Sequence, residues 1–225
     1  MSLQGKNVLA HRGYFDQASM KMYRENSREV CSIACTKDYI TTIELDVRKS
    51  KDGILYCFHG SLLQYFVTLK IPRTFSYMKT KYNVDRLSEI LEVIPEDKIV
   101  LLDIKDASIT KEDILSVFAG KKFKEIVLAN KSVSLLDRFS GMPPEFVKII
   151  NCNVFSNLYD MKKLKEKNYK YLEVNFPFQL SGRIMRKAEE NGLIVSYAGM
   201  FAGSRDAYWK KINKYGVTRV LSDYV

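Results

Sequence analysis

The chain has 225 residues, 46% of them hydrophobic and 28% charged. This is ordinary globular usage at a length suited to one domain or a tight pair, and it excludes disorder, collagen and coiled coil. No stretch approaches the roughly 18 apolar residues a membrane span needs. The formal charge of +10 attracts anions (phosphate esters, nucleic acid or acidic lipid) without choosing among them.

The first six residues are polar and run directly into a strand-like segment, so no signal peptide is expected. Cys31, Cys35, Cys57 and Cys152 form neither a C-x-x-C pair nor a zinc spacing, and reduced thiols in a cytoplasmic protein are expected. Short β-branched runs then alternate with charge-patterned helical segments. Strands are predicted at Asn7–His11, Thr42–Val47, Ile99–Ile104, Glu125–Ala129, Val147–Asn151, Tyr171–Asn175, Leu193–Tyr197 and Arg219–Ser222. Helices are predicted at Ser27–Lys37, Asp85–Val93, Lys111–Phe118, Val133–Phe139, Leu158–Lys167, Ser181–Asn191 and Arg205–Tyr215. Such alternation implies parallel strands. Eight strands fit one α/β domain over residues 1–225, a (β/α)8 TIM barrel near the lower end of its size range. A doubly wound open sheet is the rival, but the Gly-rich phosphate turn that usually opens one is missing.

One strand-like run, Ile54–Phe58, breaks the rhythm. It follows the second strand after Lys51-Asp52-Gly53, which leaves no room for a helix. Asp-Gly is a strong hairpin signal. With Asp52 and Gly53 as the loop, Lys51 faces Ile54 and Asp46 faces His59 across the hairpin.

The chain contains only two histidines. His11 and His59 each stand between a hydrophobic run and a glycine, at strand ends that converge in a barrel. An imidazole pair titrating near neutrality serves as general base and general acid. Glu44 and Asp46 alternate with Leu45 and Val47, so both acids point to the barrel interior. Asp103 ends the next barrel strand, with Lys105 facing the same way. Three oxygen ligands suit a divalent cation such as Mg2+ or Ca2+ better than zinc. A buried ion-pair network of Glu44, Asp46, Asp103, Arg12 and Lys105 explains the same residues without a metal. Arg24-Glu25-Asn26-Ser27 opens the first helix, with Asn26 or Ser27 as its N-cap and Glu25 near the reaction face.

These residues carry a resemblance. The series His11-Arg12-Gly13, Glu25-Asn26-Ser27, Glu44-Leu45-Asp46, His59-Gly60, Asp103-Ile104-Lys105 and Ser222-Asp223-Tyr224 is similar to the ordered motifs of the glycerophosphodiester phosphodiesterase family, a (β/α)8 barrel of the phospholipase-C-like type. The order matches over essentially the whole chain, and Val84–Val93 resembles the family's helix before its acid-x-Lys strand. Gly60 stands where the family has Asp, Asp103 where it has Glu, and no Trp occupies Val195–Gly199. An Asp at the third ligand position also resembles the sphingomyelinase-D-type lyases, which yield cyclic phosphate.

The resemblance implies metal-dependent hydrolysis of a small-molecule phosphodiester. Glu44, Asp46 and Asp103 would hold the cation, Arg12 and Lys105 would bind phosphoryl oxygens, His11 would act as base and His59 as acid. Glu173 and Asn175, sharing a strand face with Tyr171, are expected to line the pocket, Glu173 as a substrate ligand. Asp223 could equally be structural. Residues 61–82 carry Lys70, Arg73, Lys79, Lys81 and the rings of Tyr65, Phe66, Phe75, Tyr77 and Tyr82, with no acid. They read either as a basic lid over the pocket or, slightly preferred, as a solvated connection with a few rings packed down. No nucleic acid partner is expected; a non-catalytic anion- or nucleic-acid-binding barrel is the reading from a different class, and it predicts binding that collapses with salt.

Overall fold

A computed structural model describes residues 3–61, 64, 71–152, 161–199 and 202–225. Its strands are β1 (Asn7–Ala10), β2 (Ile40–Lys49), β3 (Leu55–Cys57), β4 (Asp85–Arg86), β5 (Ile99–Ile104), β6 (Glu125–Asn130), β7 (Phe146–Cys152), β8 (Tyr169–Val174), β9 (Ile194–Tyr197) and β10 (Arg219–Leu221). The helices are α1 (Ser19–Met22), α2 (Arg28–Cys35), α3 (Phe75–Tyr82), α4 (Leu87–Leu91), α5 (Lys111–Phe118), α6 (Val133–Asp137), α7 (Met161–Glu166), α8 (Gly182–Glu190) and α9 (Arg205–Tyr215). β1, β2 and β5 to β10 pair in parallel, and β1 closes on both β2 and β10. The result is the expected closed (β/α)8 barrel.

Side-chain alternation explains the closure. Leu9, Leu101, Val127, Ile149, Tyr171 and Leu221 fill the interior, while the intervening residues of the same strands pack outward against the helices. Below this layer the buried Arg219 guanidinium lies 3.9 Å from the Tyr171 ring centroid, and the Tyr171 hydroxyl donates to Glu125. Serine and threonine caps start the helices: Ser27, Thr110, Ser132, Ser181 and Ser204 each accept from a backbone N–H of the first turn. Ser27, not Asn26, is therefore the N-cap of α2. Cys31, Cys35 and Cys57 are free thiols, and burial raises the pKa of each. No described helix is long and apolar enough to cross a membrane.

The hairpin corrects one expectation. Val47 pairs with Cys57 and Lys49 with Leu55, and the Ser50 N–H donates to the Ile54 carbonyl. The loop is therefore Lys51-Asp52-Gly53, with Gly53 left-handed at φ 83°. One extra loop residue slips the register by one, so Asp46 sits opposite Phe58 rather than His59. The predicted 61–82 segment is α3 in its described second half. Phe75 and Met78 pack on Tyr56 of the hairpin and on Val84, so these side chains are packed down, while Ile71 and Tyr77 remain exposed. Tyr65, Phe66 and Lys70 lie outside the described residues, as does the start of the predicted Leu158–Lys167 helix.

Gly13 marks a close approach. It has φ 82°, and a Cβ there would fall 2.7 Å from Val30 Cγ1 and 2.8 Å from Cys31 Sγ. Gly13→Ala should destabilise by about 3 kcal/mol, from left-handed strain plus overpacking, read as a lower urea midpoint with an unchanged m-value.

Candidate active site

The carboxyl ends of the barrel strands surround a cavity of about 380 Å3. His11, Glu44, Asp46, His59, Asp103 and Lys105 line one side, and Lys131, Asn151, Glu173 and Asn175 the other. All eight predicted site residues except Arg12 and Glu173 thus share one wall; Arg12 borders it, and Glu173 faces it. In-register pairing of Asp46 with Asp103 and of Glu44 with Leu101 puts the three acids on the inner face. One oxygen from each of Glu44, Asp46 and Asp103 lies within 4.8 Å of the others.

Crowding three carboxylates in a buried site raises their proton affinity unless cations compensate. Burial and then the neighbouring Asp46 push Glu44 up to about 8. Burial also raises Asp103. Burial works the same way on Asp46, but Lys105 and Arg12 overcome it and hold that group below its ordinary range. Lys105 Nζ is 2.8 Å from Asp46 Oδ1 and 2.5 Å from Asp103 Oδ2. Arg12 Nε is 3.5 Å from Asp46 Oδ2, and its Nη1 donates to Glu25 at 2.9 Å. The expected ion-pair network is therefore present. The same cluster also fits a hard divalent cation, because its donors are all carboxylate oxygens and Glu44 is left without a full counter-charge.

The loop after β1 is built to aim these groups. Arg12 and Asn26 both adopt left-handed backbones, at φ 55° and 54°. Hydrogen bonds offset that strain: the Arg12 N–H donates to Glu44 Oε2 at 2.6 Å, and the Asn26 N–H to the Arg12 carbonyl at 2.8 Å. The Asn26 side chain then clamps β2. Its Nδ2 donates to Asp46 Oδ2 at 2.8 Å, and its Oδ1 accepts from the Asp46 N–H at 2.9 Å. Asn26 is completely buried, so its work is orientation of Asp46, which the cap reading missed.

The two histidines differ. His11 Nδ1 donates to Asp223 Oδ2 at 2.8 Å, and the His11 N–H donates to Ser222 Oγ. Burial opposes charge on His11, yet the Asp223 hydrogen bond and charge, with Glu44, raise it to about 9. Burial lowers His59, and the pull of Asp46 is offset by Arg12 and Lys105. His59 reaches the cavity because the chain leaves β2 after Phe58, whose N–H makes the last backbone bond to it, at the Asp46 carbonyl. Arg48 fixes that departure: Nε donates to the Phe58 carbonyl, Nη2 to the His59 carbonyl, and Nη1 to Asp106. The period-two series Glu44, Asp46, Arg48 carried this signal. On the far wall, burial and then Asp103 raise Glu173 to about 7, and the buried Asn151 Oδ1 accepts no hydrogen bond among the described residues.

No protein-family model matches the sequence, and no curated protein matches it. Solved structures do. A glycerophosphodiester phosphodiesterase from Thermotoga maritima superposes with a TM-score of 0.70 at 22% identity, covering 97% of this chain and 95% of that one. One from Agrobacterium tumefaciens gives 0.72 at 19% identity, covering 97% of each. A phosphodiesterase from Oleispira antarctica, in complex with the product sn-glycerol-3-phosphate, gives 0.74 at 19% identity over 97% of this chain and 93% of that one. The chain shares their fold.

Two titrations test the electrostatics. Folding raises the His11 pKa, so its stabilisation is complete below about 6.5 and is lost as pH rises through about 9. Asp223→Asn should bring the His11 NMR titration down by about a unit or more and flatten that loss in the pH profile of the urea midpoint. Glu44, raised to about 8, would have to lose its proton before it could ligate a cation. The apparent affinity for Mg2+ or Ca2+, read by thermal shift, should rise up to about tenfold per pH unit and level off above pH about 8.

Proposed function

We propose that the chain is a metal-dependent phosphodiesterase of the glycerophosphodiester phosphodiesterase family, hydrolysing glycerophosphodiesters to glycerol phosphate and an alcohol. The observation that carries this reading is the convergence of both histidines and all three carboxylates on one cavity at the carboxyl end of the barrel. The product-bound Oleispira antarctica structure supports glycerol phosphate as the retained half of the substrate.

Glu44, Asp46 and Asp103 would hold the divalent cation, which when bound supplies Lewis-acid stabilisation of charge on the phosphoryl group. Arg12 and Lys105 bind the remaining phosphoryl oxygens, and Glu25 keeps the Arg12 fork extended toward the cavity. His59, whose pKa is lowered, is the neutral imidazole and takes the proton from the attacking hydroxyl. That hydroxyl belongs to water or to the neighbouring glycerol carbon. His11 is the imidazolium. Asp223 holds its Nδ1–H, which leaves Nε2–H to protonate the departing alkoxide. This reverses the roles expected from the resemblance, and the physical reason is Asp223, which makes His11 the stronger proton holder. Glu173 with Asn151 would receive hydroxyls of the substrate on the opposite wall.

Metal-replete protein should hydrolyse glycerophosphocholine, and a chelator should stop it. His11→Ala and His59→Ala should each lower kcat by roughly 10²–10⁴-fold with cooperative thermal unfolding retained. Phosphorus NMR reads the product: glycerol phosphate supports hydrolysis, whereas a persistent cyclic ester would replace it with the lyase. No turnover of any phosphodiester, with anion binding that ignores both chelator and His11→Ala, would sink the enzymatic reading.

A further inference from the structure

Apolar side chains left in water are informative when they gather on one face. Among the described residues, six large ones are exposed: Met20, Met22, Ile71, Tyr77, Phe178 and Ile194. In a barrel of parallel strands, every connection that leaves a carboxyl end emerges on the same face. Met20 and Met22 stand on the connection from β1 to α2 and Phe178 on the connection from β8 to α8. Ile71 and Tyr77 flank Arg73 and Phe75, which are tied to the hairpin tip beyond the carboxyl end of β2: the Lys51 N–H donates to the Arg73 carbonyl and the Phe75 N–H to Asp52. Five of the six therefore share the face into which the catalytic cavity opens. Ile194, at the start of β9, lies at the opposite end. Exposed apolar residues scattered singly need no explanation; these five gather at one end of the barrel.

The three most exposed are Met22 at 67%, Phe178 at 66% and Ile71 at 57%. They stand on different sides of the mouth, since β2 and β8 lie across the barrel from each other in the strand order. Each has a cation beside it. Lys21 separates the two methionines. Arg73 follows Ile71 and lies 5.4 Å from the Tyr77 ring. Arg183 lines the same surface groove as Phe178. Phe178 is backed by Phe176, with ring centroids 5.4 Å apart and an interplanar angle of 22°, so it projects as a supported wedge. Apolar tips flanked by cations match the boundary between acyl chains and anionic headgroups. The charge of +10 supplies attraction to such a surface from a distance.

We propose that the cavity-bearing face docks on an anionic lipid bilayer, with Met22, Ile71 and Phe178 entering the interface. Docking presents the catalytic mouth to phosphodiesters of membrane origin. That consequence rests on the phosphodiesterase reading; the docking itself does not.

The test is sedimentation of the full chain with vesicles of phosphatidylcholine alone and of phosphatidylcholine mixed with phosphatidylglycerol, beside turnover of soluble glycerophosphocholine. The protein should sediment with the mixed vesicles and not with the neutral ones, and less so as salt rises. The pair Met22→Asp and Phe178→Asp should lower the bound fraction by about tenfold, with soluble turnover unchanged. Ile194→Asp, at the other end, should leave sedimentation as it was. Absence of sedimentation, equal sedimentation with both vesicle types, or binding indifferent to the paired variant would each overturn the proposal. So would a concentration-dependent dimer that the paired variant abolishes while vesicles bind nothing. Failure of soluble turnover alone would count against the phosphodiesterase reading and leave the docking result standing.

Discussion

The constraint on which the rest depends is like-charge crowding at the mouth of the barrel. Strand pleating makes Glu44, Asp46 and Asp103 point inward, and pairing of β2 with β5 makes them neighbours. Three buried carboxylates cannot all ionise without compensation. Lys105 and Arg12 compensate one of them well, so Asp46 stays ionised while Glu44 and Asp103 are pushed toward neutrality. A site left short of positive charge in this way suits a hard divalent cation. The ion-pair network and the proposed cation site would therefore be two states of one cluster rather than rival explanations of it.

The surrounding loops spend conformational freedom to hold that cluster. Two non-glycine residues in left-handed backbone conformations, Arg12 and Asn26, would be costly alone, at roughly 1–3 kcal/mol each. They persist because each is tied to an acid of the cluster: the Arg12 N–H to Glu44 and the Asn26 amide to Asp46. Gly13, packed against Val30 and Cys31, lets α2 approach closely enough for Asn26 to reach β2. Arg48 does the same for the other histidine by binding the carbonyls of Phe58 and His59, where the ladder no longer can. The site is thus oriented by backbone contacts from its neighbours.

The barrel was legible because eight strands alternate with seven helices, five of them capped by serine or threonine, and the acids of the cavity, Glu44, Asp46 and Asp103, lie toward the carboxyl ends of their strands. Lys111–Phe118 and Arg205–Tyr215 match their predicted bounds because capping residues, Thr110 and Ser204, and stop signals flank them. The hairpin register was not legible. Asp52-Gly53 fits a two-residue loop and equally the end of a three-residue one, and only packing against α3, which receives Asp52 at its first N–H, decides. The proposed proton roles were illegible for a related reason. His11 and His59 look alike in sequence, and what separates them is Asp223, 212 positions away, brought to His11 by barrel closure.

Asp103 carries the last step. An aspartate is one methylene shorter than the glutamate of the resembling family, so its carboxylate stays closer to β5. The structure offsets the shorter reach by register: Asp103 pairs directly with Asp46, and Lys105 Nζ bridges the two. The ammonium therefore stands where positive charge is most wanted among the acids. A divalent ion held by the same oxygens would repel it, and the flexible four-carbon stem gives it somewhere to go, toward the open side of the cavity it already lines. On the proposed function, a phosphoryl group arriving there would meet the displaced ammonium. On that reading Asp103 supplies the charge a glutamate would, and Lys105 would link filling of the acid site to binding of the anion.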